Sequence, residues 1–321
     1  MALAASKPAT GLATLNHDRR VEPARPPLDL SIVVVNYNVR DLLRGCLQSL
    51  RESRLDADWQ VIVVDNYGGG SPDGSVEMVR TEFPDVQLIV NERNDGFAGG
   101  NNRGIRAAGA SRYVMLLNPD TVVPPDALRR MLDYMDAHPE VGVLGPKLVK
   151  GDGTLDLACR RSFPTPAIAF YHAFALDKLF PRSPHFARYN LTYLDEDQEA
   201  EVDCVVGAAM LVRSEAIEHA GLLDEAFFMY GEDLDWAYRI KEAGWKVIYN
   251  PSVVITHYKG QSSRQRSVRS ILAFYEAMVI FHRKHFAGRT FFAVNWAILA
   301  GIYLRCAIAL GANLAKPRAT A

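Results

Sequence analysis

Three groups of polar residues could do chemistry. Asn118-Pro119-Asp120 breaks the apolar run 113–117, and a carboxylate set behind a rigid proline is held where a strand would end. The stretch Phe227-Phe-Met-Tyr-Gly-Glu232-Asp233-Leu-Asp235-Trp236 delivers carboxylates at a helix start. Acids in a first helical turn stabilise it by a few tenths to about 1 kcal/mol, which explains their presence but not their aromatic setting. Partial burial there would raise a carboxyl pKa toward that of a general base. His257, after the short apolar run 253–256, adds an imidazole and is the weakest of the three signals.

Further polar stretches suit a ligand as well as a turn. Asp65-Asn66 ends an apolar run and precedes the glycine-rich loop 67–74. A carboxylate there can accept from a pyrimidine imide or a ribose hydroxyl, while glycines let backbone approach a ligand closely. Asn36-Tyr37-Asn38 offers a ring to stack on a base and amides to hydrogen-bond it. In the stretch 91–104, Asn94, Gly96, Phe97 and Asn102 stand among glycines and the cations Arg93 and Arg103. A helix starting there would turn free N–H groups toward a phosphate.

These residues need elements to position them, and the chain supplies a strand-and-helix rhythm. Apolar runs at 30–35, 61–64, 86–90 and 113–117 alternate with amphipathic segments at 39–50, 74–81, 99–108 and 125–137. Such βαβ units make a parallel sheet with its ligand edge at the strands' carboxyl ends, where the polar stretches fall. After residue 150 the rhythm fails, and 160–198 is irregular, an adaptable substrate loop or an insertion. Residues 202–213 read as a strand, 232–243 as a helix closed by Gly244, 246–249 and 253–256 as two short strands, and 267–285 as a basic amphipathic helix.

Composition narrows the class. The chain has 321 residues, 49% hydrophobic and 23% charged, which is globular, and its formal net charge of -1 argues against nucleic acid as a partner. The 4 cysteines (Cys46, Cys159, Cys204, Cys306) lack metal or redox spacing. Residues 1–27 read as a flexible leader without a signal-peptide core. The apolar segment 291–315 approaches membrane-spanning length but contains Asn295 and Arg305. An interfacial helix, a span, and a core-covering or dimer-forming helix all fit it. A dinucleotide fold is disfavoured because no G-x-G-x-x-G follows the first strand.

In this order, SIVVVNYN, VIVVDN, NDGFAGGNN, LLNPDT, GAAMLVR, FFMYGEDLDWAYRIKEAGWKVIYNP and HYKGQSS resemble the blocks of family 2 glycosyltransferases of the GT-A fold, in their rhamnosyltransferase-like branch. The resemblance covers about residues 28–260. It implies an α/β, Rossmann-like, mostly parallel central sheet flanked by helices, here as a GT-A domain at 28–265 with a helical, membrane-associating extension at 266–321. It also implies an inverting, metal-dependent transfer of one sugar from a nucleotide-sugar donor. The branch points to rhamnose from dTDP-rhamnose, moved to a cell-envelope or O-antigen glycan acceptor, possibly lipid-linked. Asn118-Pro119-Asp120 matches the family's Asp-x-Asp motif with Asn118 in place of its first acid. By the same resemblance, Asp120 and His257 hold Mg or Mn, Asp233 is the base, and Glu232 orients it or holds an acceptor hydroxyl. Asn36, Tyr37, Asn38, Asp65 and Asn66 fall at the nucleoside, Asn94, Gly96, Phe97 and Asn102 near diphosphate and sugar, and Asn118 at the ribose or a metal-bound water. The Gln-x-x-Arg-Trp of processive synthases is missing, which favours one sugar per acceptor. These features place the protein in the cytoplasm, peripheral to the inner face of the plasma membrane, with homo-oligomerisation open. The alternative is a non-catalytic nucleotide-sugar-binding subunit, which the substitution at Asn118 would suit.

Overall fold

The computed structural model describes residues 27–258 and 268–314. Most of the expected leader, residues 259–267 and residues 315–321 of the expected extension lie outside them. The apolar runs become strands β1 (Leu28–Asn36), β2 (Trp59–Asp65), β3 (Gln87–Val90) and β4 (Ser111–Leu117). They alternate with helices α1 (Arg40–Arg51), α2 (Ser75–Glu82), α3 (Gly96–Ala108) and α4 (Ala127–Ala137). The strands β5 (Thr121–Val122), β6 (Val141–Val149), β7 (Ala200–Glu201), β8 (Ala209–Arg213) and β9 (Lys246–His257) complete a 9-stranded sheet in the order β3-β2-β1-β4-β8-β6-β9-β5, with β7 on β9. The remaining helices are α5 (Pro166–Ala173), α6 (Leu176–Leu179), α7 (Ser214–Ala220), α8 (Glu232–Glu242), α9 (Val268–His285) and α10 (Phe292–Leu314).

Strand direction places the site. β1 is parallel to β2 and β4, and β2 to β3. β8 is antiparallel to both β4 and β6, so β6 keeps the direction of β4, and β9 runs parallel to β6. The carboxyl ends of all six strands therefore share one edge, and β8 enters the sheet there.

Some elements differ from the sequence reading. The strand expected over 202–213 is confined to β8, and the two short strands at 246–249 and 253–256 are one strand, β9, irregular beside Pro146 and Lys147. The sequence reading did not identify β6, whose Gly142, Gly145 and Pro146 argue against a strand. The glycines are there for packing: a Cβ at 142 would lie 2.6 Å from Trp245 and one at 145 only 2.5 Å from Val205. The irregular stretch 160–198 contains α5 and α6, and Phe170, Leu179 and the residues just after the two helices, Phe174 and Phe180, are exposed.

The C-terminal helices are joined to the core. Ala277 and Phe281 of α9 belong to it, and Asp235 of α8 is bonded by Lys284 and His285 of α9 at 2.8 and 2.7 Å. α10 buries only Ile302 and Cys306, while Phe292, Trp296, Tyr303, Leu304 and Ile308 are exposed. Its polar interruptions are satisfied within the protein: Asn295 donates to the Ala287 and Thr290 carbonyls and contacts His282, and Arg305 donates to the Ala173 carbonyl at the end of α5.

Candidate active site

The end of β1 meets the end of β2 in a buried polar cluster. Asn36 donates through Nδ2 to Oδ2 of Asp65 at 2.9 Å, and Ser71 from the glycine-rich loop donates to the same oxygen at 2.7 Å. The other oxygens, Asn36 Oδ1 and Asp65 Oδ1, are buried without a hydrogen-bond partner. An orphaned carboxylate oxygen is costly unless a donor arrives, so this pair could accept a ligand N–H or O–H. Beside it Tyr37, 47% exposed, and Tyr67 form a tilted pair of rings 5.3 Å apart. Asn38 sits at φ +56°, a conformation Asn tolerates, with its backbone N–H on Ser71.

Asn66 organises the next loop. Its Nδ2 donates to the Gly96 carbonyl and to Asn94, and its Oδ1 accepts from Asn91 and from the backbone of Asp95. Asn94 in turn accepts from the Gly96 N–H, which holds the entry to α3. Gly96 has φ +74°, and a Cβ on it would lie 2.2 Å from the Phe228 carbonyl, which also accepts from the Phe97 N–H. Only glycine allows this approach, which packs the entry to α3 against the approach to α8. Asn102 of α3 is buried with its amide taken up by Leu223 and Glu225, so it also fastens the loop before α8.

Asp120 and His257 are brought together by the two residues of β5. Thr121 pairs with His257 across β5 and β9, and the Tyr258 N–H donates to the Asp120 carbonyl. Oδ1 of Asp120 then lies 3.2 Å from Nε2 of His257, with both side chains buried and Asn118 Nδ2 3.4 Å from the same nitrogen. Nδ1 of His257 faces Asp156 Oδ2 at 3.2 Å, a contact absent from the sequence reading. Burial opposes a charge on His257, but the bonds to Asp120 and Asp156 outweigh it and raise its pKa to about 9. A carboxylate behind a histidine also orients metal-ligating imidazoles, and His257 would have to give up a proton before it could act as one. Among the described residues, no group of three or more His, Cys, Asp or Glu side chains is arranged to hold a metal.

The carboxylate pair completes the edge. Tyr230 at φ +73° and Gly231 at φ +82° turn the chain sharply into α8, a strained approach for a tyrosine. Oδ2 of Asp233 accepts from Arg161 at 2.5 Å and from the Gly207 N–H at 3.2 Å, and Oδ1 accepts from the Leu234 N–H. The next residue, Ala208, accepts from the Asn118 N–H, so the entry to β8 touches both Asp233 and the Asn118–Asp120 turn. Glu232 is buried with Oε2 unpartnered. Burial and the charge of Asp233 push its pKa up to about 8.

Residues 31–219 match the family model of glycosyl transferase family 2. The chain belongs to that family. This glycosyltransferase is 28% identical over 299 residues to an N-acetylglucosaminyl-diphospho-decaprenol L-rhamnosyltransferase of Mycobacterium tuberculosis, covering 90% of this chain and 95% of the relative. It is 27% identical over 217 residues to the low-salt glycan biosynthesis hexosyltransferase Agl10 of Haloferax volcanii, covering 66% of this chain and 62% of the relative. Among solved structures, a mannosyltransferase of Pyrobaculum calidifontis in complex with GDP-Man and Mn2+ superposes with a TM-score of 0.54 at 18% identity, over 92% of this chain and 77% of that one. GalNAc-T7 with UDP, GalNAc and Mn2+ superposes with a TM-score of 0.55 at 15% identity, over 81% of this chain and 48% of that one. The glycosyltransferase thus has the GT-A fold.

Proposed function

We propose that this glycosyltransferase moves one rhamnose from dTDP-rhamnose to a lipid-linked glycan acceptor of the cell envelope, with inversion and with the help of Mg2+ or Mn2+. The observation that carries this reading is the convergence on one sheet edge of the Asn36–Asp65 pair, the Asp120–His257 pair and Asp233. The orphaned oxygens of Asn36 and Asp65 would receive the nucleoside's N–H and O–H groups, with Tyr37 stacked on the base. The entry to α3, with Asn94, Gly96 and Phe97, would line the diphosphate and sugar, and Asn118 would contact the ribose or a metal-bound water. A divalent ion held by Asp120 and His257 would neutralise charge on the departing diphosphate.

Asp233 is the base of the proposed reaction. The acceptor hydroxyl oxygen attacks the anomeric carbon from the face opposite the diphosphate, the carbon–diphosphate bond breaks, and the hydroxyl proton passes to Oδ1 of Asp233. Oδ2 is fixed by Arg161 and Gly207. The relative's name supplies the acceptor class, N-acetylglucosamine on a decaprenyl diphosphate. Lipid linkage agrees with α10, a 23-residue helix long and apolar enough to cross a membrane and mostly uncovered by the protein. We place this helix on the inner face of the plasma membrane, lying along the bilayer, and the bond of Arg305 to α5 supports lying along it over crossing it.

The test is a donor screen on the purified protein, following thermal stability with UDP-, GDP- and dTDP-sugars, with and without Mn2+ or Mg2+. A ligand at one hundred times its Kd stabilises the folded state by about 2.7 kcal/mol. The expected result is a metal-dependent shift largest for dTDP-rhamnose. A larger shift with another donor would replace the sugar, and no shift with any donor would overturn the reading.

A further inference from the structure

Arg161 comes from the irregular stretch after β6 and was not marked by any motif, yet it reaches Asp233 across 72 positions of chain. Both side chains are buried, at 11% and 8% exposure. A buried guanidinium is costly unless paired, so its position beside the carboxylate pair needs a reason. Its neighbour Arg160 shows what a purely architectural arginine looks like here: it donates to the carbonyls of Leu194 and Asp195 and lies over the Tyr249 ring. Arg161 instead spends Nη2 on Oδ2 of Asp233, with a longer contact to Cys204 Sγ at 3.5 Å.

We propose that Arg161 is a positioning residue of the transfer reaction, clamping Oδ2 of Asp233 so that Oδ1 is the oxygen offered to the acceptor hydroxyl. A carboxylate oxygen has two lone pairs, and Oδ1 uses one on the Leu234 N–H, which leaves one for the hydroxyl. The clamp also sets the guanidinium charge of Arg161 beside the two adjacent buried carboxyls, Asp233 and Glu232. Tyr189, Cys204, Asp203 and Glu232 are the other titratable groups around this pair. Tyr189 and Cys204 are held neutral by burial, and Glu232 by burial and by Asp233.

The inference rests on Asp233 being the base, so the test measures both. The rate of rhamnosyl transfer from dTDP-rhamnose to a short-chain polyprenyl-diphospho-N-acetylglucosamine is followed against pH for wild type, Arg161→Met, Arg161→Lys and Asp233→Asn. For Arg161→Met, kcat should fall roughly tenfold to a hundredfold with the KM for dTDP-rhamnose nearly unchanged. The acidic limb of its pH–rate profile should differ from that of wild type, because the positive charge beside Asp233 is gone. Arg161→Lys should return the limb toward the wild-type position while kcat stays reduced, the ammonium lacking the guanidinium's fixed fork. If the Met variant does not fold, Arg161→Gln, which keeps a hydrogen-bond donor and removes the charge, is held to the same criteria. A charge-removed variant with wild-type kcat, or with a rate lowered equally at every pH, overturns the role of Arg161. Asp233→Asn with near-normal turnover overturns the base itself; an inactive Asp233→Asn beside an unaffected Arg161 variant overturns only the clamp.

Discussion

Nε2 of His257 lies 3.2 Å from Oδ1 of Asp120, and the two-residue strand β5 brings them together. Thr121 pairs with His257, so the carboxylate before one strand meets the imidazole at the end of the other. The opposite nitrogen of the ring is held by Asp156. This joins the two halves of the sheet at one buried point.

Asp156→Asn should weaken Mn2+ binding about 10- to 100-fold, the usual loss when the outer partner of a ligating histidine is removed. Asp120→Asn should abolish it. Calorimetric titration of Mn2+ in the presence of dTDP reads both; equal affinity of wild type and Asp156→Asn would remove Asp156 from the site.

Glu232→Gln should stabilise the protein while lowering its activity. The folded pKa of Glu232, about 8, lies above its ordinary value of 4.5, so its contribution is fully present below pH 4.5 and is lost as pH rises toward 8. The variant's gain over wild type in urea unfolding should therefore be larger at pH 8 than at pH 5. A constant difference across that range would show that Glu232 ionises freely.

Asp235→Asn should loosen the attachment of α9. Burial opposes the charge of Asp235, but His285, Lys284 and Arg239 outweigh it and lower its pKa to about 2. Its contribution is present above pH 3.8 and lost as pH falls through about 2, which corresponds to about 2 kcal/mol at neutral pH. Unfolding free energies should differ by that order at pH 7 and converge as the medium is acidified.

Gly96→Ala should cost more than about 1 kcal/mol and abolish nucleotide-sugar binding, because the new methyl would meet the Phe228 carbonyl at 2.2 Å in a backbone conformation that disfavours side chains. Thermal unfolding with and without dTDP-rhamnose measures both effects. Wild-type binding in a folded variant would separate the α3 entry from the donor.

The βαβ half was legible because its strands read as near-continuous apolar runs, mostly buried in β1, β2 and β4 and half-buried in the edge strand β3. β6 was not, because Gly142 and Gly145 leave room for Trp245 and Val205, partners that no local pattern shows. Within the site, Asn36, Asp65, Asp120, Asp233 and His257 were visible as polar residues at strand or helix ends, and the structure collects them on one edge. Asp156 and Arg161 act across 101 and 72 positions of chain, from a stretch without periodicity, so only the fold reveals them. The partners of Asn102, Leu223 and Glu225, lie 121 and 123 positions away, so its fastening of the loop before α8 shows only in the fold.

The measurement that most directly tests the account is turnover of dTDP-rhamnose with a polyprenyl-diphospho-N-acetylglucosamine acceptor by wild type and Asp233→Asn, alongside the Kd of each for the donor. The account predicts transfer by wild type, loss of at least about a hundredfold in kcat for the variant, and closely similar donor affinities. Near-normal turnover by Asp233→Asn would contradict it.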